Sequence, residues 1–397
     1  MNIGIYGGTF DPPHWGHITA AKAAMEQLGL DKLVLIPDRV PPHKALPEGG
    51  ASPEQRLEMA ALAAAELGKR TEVSDRELRR SGPSYTADTL AALREEYPED
   101  ALWLLMGSDM FLTLQDWREP RQVMALARIG AFSRLESGEE AAFARQKAFL
   151  EREYGADVTI IPNPQVVELS STEARQTLAR GGGADILPAA VYGYILRERL
   201  YSTHRELTGL TPDELRPIAL SYLKPKRMPH VLGTEQEAVR LTRRYGGDET
   251  QARIAALLHD CTKKLELPEQ LALCAQYGIE LDALEQRALK LLHSKTGAAI
   301  ARSVFGVEDA VYDAIWYHTT GKPDMTRLEK ILYLADYIEP SRDFPGVEEL
   351  RKAVYEDLDH GLLLGLSMTI QEMEEMGNPI HHQTRDARDY LLKRGIR

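Results

Sequence analysis

The chain has 397 residues, more than one compact core of ordinary size holds, and is expected to fold as two or three domains. Hydrophobic residues make up 43% and charged residues 27%, which excludes a disordered tail and a fibrous repeat. With 48 basic against 60 acidic residues the formal net charge is −12; this excludes duplex nucleic acid and anionic membrane as the main partner, but not a locally basic site for small phosphates.

In chain order, Ile3–Tyr6 reads as an apolar strand ending in Gly7-Gly8, Ile18–Leu28 as a helix closed by Gly29, and Lys32–Pro37 as the next strand. Past a stretch rich in proline and glycine, a helix is predicted from Pro53 to Leu67, a strand at Thr71–Ser74, a helix at Thr86–Tyr97 and a strand at Ala101–Met106. An apolar segment at Val123–Ala127 precedes strands near Arg128–Phe132 and at Val158–Ile161. Strands and helices in alternation predict a doubly wound, Rossmann-like α/β domain with a mostly parallel sheet, whose ligands bind at the carboxyl ends of the strands. Gly7, Pro37 and Gly107 fall at those ends.

The pattern changes near Leu200. From Pro212 onward only helical periodicity is found, at Glu235–Tyr245, Thr250–His259, Pro268–Gln276, Leu284–His293, Thr296–Phe305, Val307–Trp316, Leu328–Tyr337 and Val347–Met376. The expected organisation is an α/β domain over 1–201, a linker over 202–212 and an all-α domain over 213–397. Two cysteines, Cys261 and Cys274, are too few for a disulfide framework, and no run approaches the ~20 apolar residues of a membrane span. With no basic leader at its start, the chain is expected to be cytoplasmic. A homo-oligomer is compatible with the pattern.

The densest chemical signal is Gly7-Gly8-Thr9-Phe10-Asp11-Pro12-Pro13-His14-Trp15-Gly16-His17. Paired glycines after a strand let the backbone approach a phosphate, and the next helix adds unpaired N–H groups at the positive end of its dipole. His14 and His17, three apart, share a helix face and can both donate to phosphate oxygens.

His14-Trp15-Gly16-His17 resembles the His-X-X-His hallmark of the nucleotidylyltransferase superfamily. Pro41-Pro42-His43-Lys44, Ser84-Tyr85-Thr86, Gly107-Ser108-Asp109, Trp117 and Leu169-Ser170-Ser171-Thr172-Glu173-Ala174-Arg175 narrow the likeness to bacterial nicotinate-nucleotide adenylyltransferases, over about residues 1–200. The resemblance implies transfer of adenylyl from ATP to nicotinate mononucleotide, with Mg²⁺ and release of pyrophosphate. It also implies residue roles. His14 and His17 grip the ATP phosphates within the loop Gly7, Gly8, Thr9 and Phe10, while Lys44 and Arg175 supply cations. Ser171 and Thr172 donate from a helix N-terminus, Gly107 and Asp109 hold nucleotide sugar, and Tyr85, Thr86 and Trp117 receive the nicotinate ring. Trp117 also fits a core position, and Ser170-Ser171-Thr172 also fits a helix cap. Ala174 departs from the branched aliphatic usual before the arginine. A cytidylyl- or pantetheine-phosphate transferase with the same histidine pair is the rival.

In the helical half, His259-Asp260 follows an apolar run, with His230 upstream and His293, His318 and Asp336 downstream, all within or after apolar helical segments. Polar side chains there are costly unless they share a purpose. Four histidines and two aspartates divide into a two-metal site: His230, His259, Asp260 and Asp336 on one ion, His293 and His318 on a second, with Asp260 shared. The arrangement resembles the HD superfamily of metal-dependent phosphohydrolases. Arg227-Met228-Pro229-His230-Val231-Leu232-Gly233, His259-Asp260-Cys261-Thr262-Lys263 and Asp336-Tyr337-Ile338-Glu339-Pro340-Ser341-Arg342 narrow it to the bacterial YqeK-type family, as does His381-His382-Gln383-Thr384 near the end. That likeness implies symmetric cleavage of diadenosine tetraphosphate to two ADP at a di-iron centre, with Lys263 and Arg342 on phosphates. The alternatives are another nucleotide substrate, mononucleotide or alarmone, or a regulatory nucleotide-binding domain.

Overall fold

The structure is a computed structural model and describes residues 1–41, 49–133, 140–162 and 169–396. The chain divides into two compact units, Met1–His204 and Arg205–Arg397.

In the first unit six strands, β1 (Asn2–Gly8), β2 (Lys32–Pro37), β3 (Thr71–Val73), β4 (Ala101–Met106), β5 (Arg128–Ser133) and β6 (Val158–Pro162), form one sheet in the order β3-β2-β1-β4-β5-β6. Every pairing is parallel. Leu33–Pro37 and Leu102–Met106 are unbroken buried runs, as a sheet covered by helices on both faces requires. The chain winds from β1 outward through β2 to β3, then returns to β4 beside β1 and winds the other way. The direction thus reverses between β1 and β4, which opens a crevice at their carboxyl ends. Gly7-Gly8 ends β1 and Gly107 follows β4, so both glycine turns sit at that crevice.

The first helix spans Trp15–Gln27, three residues earlier than apolar periodicity starts it, because its first turn is the polar His14–His17 motif. Helix Pro53–Ala64 begins at Ser52, whose side chain accepts the Gln55 N–H, with proline in the first turn. The segment before β5 is a helix, Pro120–Leu126.

Every secondary-structure element described in the second unit is a helix. The predicted pair at 284–293 and 296–305 is a single helix, Leu289–Phe305: Ser294 and Thr296 donate their hydroxyls to the Leu291 and Leu292 carbonyls, so the helix runs through its polar stretch. Conversely, 347–376 is two helices, Val347–Glu356 and Leu358–Glu375, divided at Asp357, whose carboxylate accepts the His360 N–H and caps the second. A last helix, His382–Lys393, has no counterpart in the predicted set. Among the described residues no helix is long and apolar enough to cross a membrane.

Candidate active sites

The crevice of the first unit holds a cavity of about 370 Å³ lined by Gly7, Gly8, His14, His17, Gly107, Asp109 and Ser171. The two imidazoles lie with ring centroids 3.9 Å apart. His17 Nδ1 accepts the His14 backbone N–H at 3.2 Å, which puts the His17 proton on Nε2, where it can be donated to a ligand. Burial lowers His14 from 6.5 to about 4, so it is neutral at pH 7, and its Nδ1 is buried without a hydrogen-bond partner.

The loop between β1 and this helix is held from three sides. The Thr9 hydroxyl donates to Asp38 Oδ2 at 2.9 Å, and Phe10 is buried at a φ of +50°. Neither residue lines the cavity; both shape the loop that does. Asp11 is buried, and its Oδ1 accepts the Tyr201 hydroxyl at 2.6 Å and the Ala51 N–H at 3.1 Å. Arg56 is fully buried; it donates to the Thr9 carbonyl at 2.8 Å, to Asp38 Oδ1 at 3.0 Å and to the Arg39 carbonyl at 3.1 Å. No sequence motif singled out Arg56, because one arginine in an amphipathic helix reads as surface.

Ser170 caps the helix Ser171–Ala179, Ser171 reaches the Pro12 carbonyl at 3.3 Å, and Arg175 donates to the Asp11 carbonyl at 2.7 Å and to the Thr172 hydroxyl at 3.2 Å. The cap is thus Ser170, while Ser171, in the first turn, lines the cavity and Arg175 braces the loop. Tyr85 precedes the helix Thr86–Glu96, and the Arg118 guanidinium lies 4.3 Å above its ring. Trp117, next to Arg118, is half-buried against the core, so both its core and its ring-binding reading stay compatible with its position. Lys44 lies outside the described residues.

In the second unit the six predicted metal ligands converge. His230 sits on helix Met228–Tyr245, His259 and Asp260 follow helix Glu249–Leu258, His293 is on Leu289–Phe305, His318 follows Asp309–Tyr317, and Asp336 is on Arg327–Ile338. His230 Nε2 lies 3.0 Å from Asp336 Oδ1, His293 Nε2 3.2 Å from Asp260 Oδ1, and His293 Nε2 3.1 Å from His318 Nε2. Three overlapping triads have their ligand atoms within 4.8 Å of one another: His230, His259 and Asp260; His259, His318 and Asp336; Asp260, His293 and His318.

Hydrogen bonding behind the rings tests whether this cluster suits metal. Nδ1 of His259 is 2.6 Å from the Ala256 carbonyl and Nδ1 of His318 is 2.7 Å from that of Ile315; each donates there, leaving the Nε2 lone pair facing the centre. His230 Nδ1 lies 2.9 Å from Glu339 Oε1, with the same result. Nε2 of His230, Nε2 of His259 and Oδ1 of Asp260 are all buried without a hydrogen-bond partner. Burial holds His293 and His318 down to about 4, in the neutral form a metal needs. Burial opposes ionisation of Asp260 and Asp336, but the surrounding imidazoles and cations prevail and hold both carboxyls well below the ordinary range. The donor set fits two divalent ions.

Cations ring the cluster. Arg227 donates to Asp260 Oδ2 at 2.5 Å, Arg342 to Asp336 Oδ1 at 2.6 Å, and Lys263 Nζ is 2.9 Å from His293 Nε2. A cavity of about 720 Å³, lined by His318, Asp336, Arg342, Tyr337 and Phe344 among others, opens beside them. The sequence motifs contain Arg227 and Glu339 without assigning either a role, because their part is decided by helices distant in sequence. A further cluster, Asp282 with His381 and His382, is of another kind. His381 Nδ1 accepts the Gln383 N–H at 3.3 Å as a helix cap, which puts the ring proton on Nε2 and removes its lone pair there.

Residues 5–177 match the Cytidylyltransferase-like family and residues 227–341 the HD domain family. Over 211 residues the chain is 41% identical to a "Probable nicotinate-nucleotide adenylyltransferase" of Aeromonas salmonicida, covering 50% of this chain and 96% of that protein. A protein of the same name from Chromohalobacter salexigens is 37% identical, with 50% of this chain and 95% of that one covered. Among solved structures, a "predicted HD superfamily hydrolase involved in NAD metabolism" from Clostridium acetobutylicum is 44% identical, with a TM-score of 0.45, covering 47% of this chain and 98% of that one. Through its first half the chain belongs to the nicotinate-nucleotide adenylyltransferase family, and its second half carries a helical HD domain.

Proposed function

We propose that the first unit transfers the adenylyl group of ATP to nicotinate mononucleotide and that the second hydrolyses diadenosine tetraphosphate to two ADP. The observation that carries the first reading is the placement of both histidines, both glycine turns and the Ser171 helix N-terminus around one crevice cavity. The acceptor's phosphate attacks the α-phosphorus of ATP in line, the bond to the β-phosphate breaks, and pyrophosphate leaves. No covalent enzyme intermediate is needed, so catalysis reduces to holding two phosphates and neutralising charge. His17 Nε2–H and His14 donate to the triphosphate, and the Gly7-Gly8 turn lets its oxygens approach the backbone. Asp109 is the single carboxylate among the described lining residues, so Mg²⁺ enters with ATP as substrate. Pyrophosphate release measured with nicotinate mononucleotide, its amide, pantetheine phosphate and cytidylyl acceptors tests the assignment; preference for any of the last three overturns it.

For the second unit, the carrying observation is the set of buried, unpartnered donor atoms from His230, His259 and Asp260 facing one centre. His230, His259, Asp260 and Asp336 would hold one ion and Asp260, His293 and His318 the other; when bound, they supply charge neutralisation and an activated water. Imidazole and carboxylate donors fit iron, manganese or zinc, and the family likeness favours iron. Arg227, Lys263 and Arg342 form a cationic rim suited to a polyphosphate, and Tyr337 and Phe344, stacked with centroids 5.3 Å apart, offer an aromatic face to a base. Metal analysis of the purified chain followed by hydrolysis of adenine and guanine nucleotides and dinucleotides is the test. A preference for mononucleotides or guanosine polyphosphates overturns the substrate, and hydrolysis of none of them favours a regulatory domain. Cys261 and Cys274, buried and not joined in a disulfide, support a reducing, cytoplasmic setting.

A further inference from the structure

Glu339 lies outside the predicted ligand set, yet it is held by three polar contacts beside the candidate metal cluster. It is fully buried, three residues beyond Asp336. Its Oε2 accepts the Ser341 backbone N–H at 2.7 Å, and its Oε1 accepts the Ser341 hydroxyl at 2.5 Å. The same Oε1 faces His230 Nδ1 at 2.9 Å. Space for it comes from Gly233, one turn beyond His230: a Cβ there would stand 2.5 Å from Glu339 Oε2. Among the imidazoles of the cluster, only His230 has a carboxylate behind it; His259 and His318 donate to backbone carbonyls.

A carboxylate behind an imidazole fixes the tautomer, orients the ring and makes the far nitrogen a stronger donor. The position bounded by His230 also draws on two carboxylates, Asp260 and Asp336, and on His259. The other position has Asp260, His293 and His318. There Lys263 Nζ stands 2.9 Å from His293 Nε2, in front of that ring's donor atom. Arg227 and Arg342 touch the carboxylates instead, whose oxygens keep further lone pairs for a metal.

We propose that the two metal positions are unequal and that Glu339 is the positioning residue that sets the inequality: the His230 position binds tightly, and the His293–His318 position is the weaker, exchangeable one. The inference rests on the two-metal reading. It makes the hydrolase sensitive to metal supply, because an enzyme holding one ion persists where free metal is scarce.

The test is a titration of the full chain, stripped of metal, with Mn²⁺ against a fluorescent chelator. Wild type is expected to bind two Mn²⁺ in two separable steps. Glu339→Gln, equal in volume, is expected to weaken the tight step by about 10- to 100-fold while leaving the weak step unchanged. Gly233→Ala, which pushes the same carboxylate aside, is expected to weaken the same step. Pyrophosphate release by the first unit and the far-ultraviolet dichroism of each metal-free variant report that the chain is folded. A merely structural role for Glu339 would weaken both steps together or neither, and either outcome overturns the proposal, as do two equal steps in wild type. Wild type that binds fewer than two Mn²⁺ overturns the two-metal reading itself.

Discussion

Arg56 ties the loop between β1 and the first helix to the end of β2, and replacing it tests how much of the crevice depends on one buried cation. Its guanidinium, 0% exposed, makes three hydrogen bonds, to the Thr9 carbonyl, to Asp38 and to the Arg39 carbonyl. Arg56→Met keeps the apolar stem and removes all three. Breaking a buried ion pair from one side costs about 3–5 kcal/mol, because the partner is left charged. Asp38 retains 13% side-chain exposure and the Thr9 hydroxyl, and Arg56 Nε has no partner to lose, so the lower end applies: about 3 kcal/mol, or about 100-fold in the folding equilibrium. Arg56→Lys keeps the charge but cannot bridge three acceptors, and is expected to cost about half as much. Urea unfolding followed by tryptophan fluorescence reads this unit, since Trp15, Trp103 and Trp117 of the chain's four tryptophans lie in it. Release of the Thr9 carbonyl is also expected to raise KM for ATP under folded conditions. An Arg56→Met protein within about 1 kcal/mol of wild type, with unchanged KM, would show that the loop is held without Arg56.

Other outcomes follow from the same geometry. His17→Ala is expected to lower kcat for pyrophosphate release by about 100- to 1000-fold with little change in stability, the scale for removing one donor to developing charge; a loss under tenfold would remove His17 from the phosphate site. Burial that lowers His14 from 6.5 to about 4 means that only the unfolded chain takes up this proton between those values. Its contribution is therefore present above pH 6.5 and lost as pH falls, by about 2 kcal/mol between pH 7 and pH 5. His14→Gln should flatten that part of the pH dependence, and an NMR titration of His14 near 6.5 would refute the burial argument. Asp260→Asn is expected to remove bound metal and hydrolysis together while pyrophosphate release persists; retained hydrolysis would overturn the shared-ligand assignment.

Much was legible because local chemistry repeats recognisably along the chain. Apolar runs in alternation with helices point to a parallel sheet, since strands covered on both faces must be continuously hydrophobic, and Gly7-Gly8 and Gly107 fall at their carboxyl ends. Helix ends were less legible. Ser294 and Thr296 looked like a break, yet their hydroxyls return to backbone carbonyls and the helix continues. The last helix, His382–Lys393, was missed because its buried side is only Thr384, Ala387 and Leu391, too thin a stripe to read.

The sequence by itself determined which chemical groups this protein places at its candidate sites: a glycine turn with paired histidines, and histidines and aspartates set in apolar helices, each signal local to a few residues. Only the tertiary structure decided which groups hold those residues in place. Arg56 reaches Thr9 across 47 positions, Tyr201 reaches Asp11 across 190, and Glu339 reaches His230 across 109. The physical reason is that a buried polar group must find its partner wherever the fold brings one, and sequence spacing carries no trace of that choice.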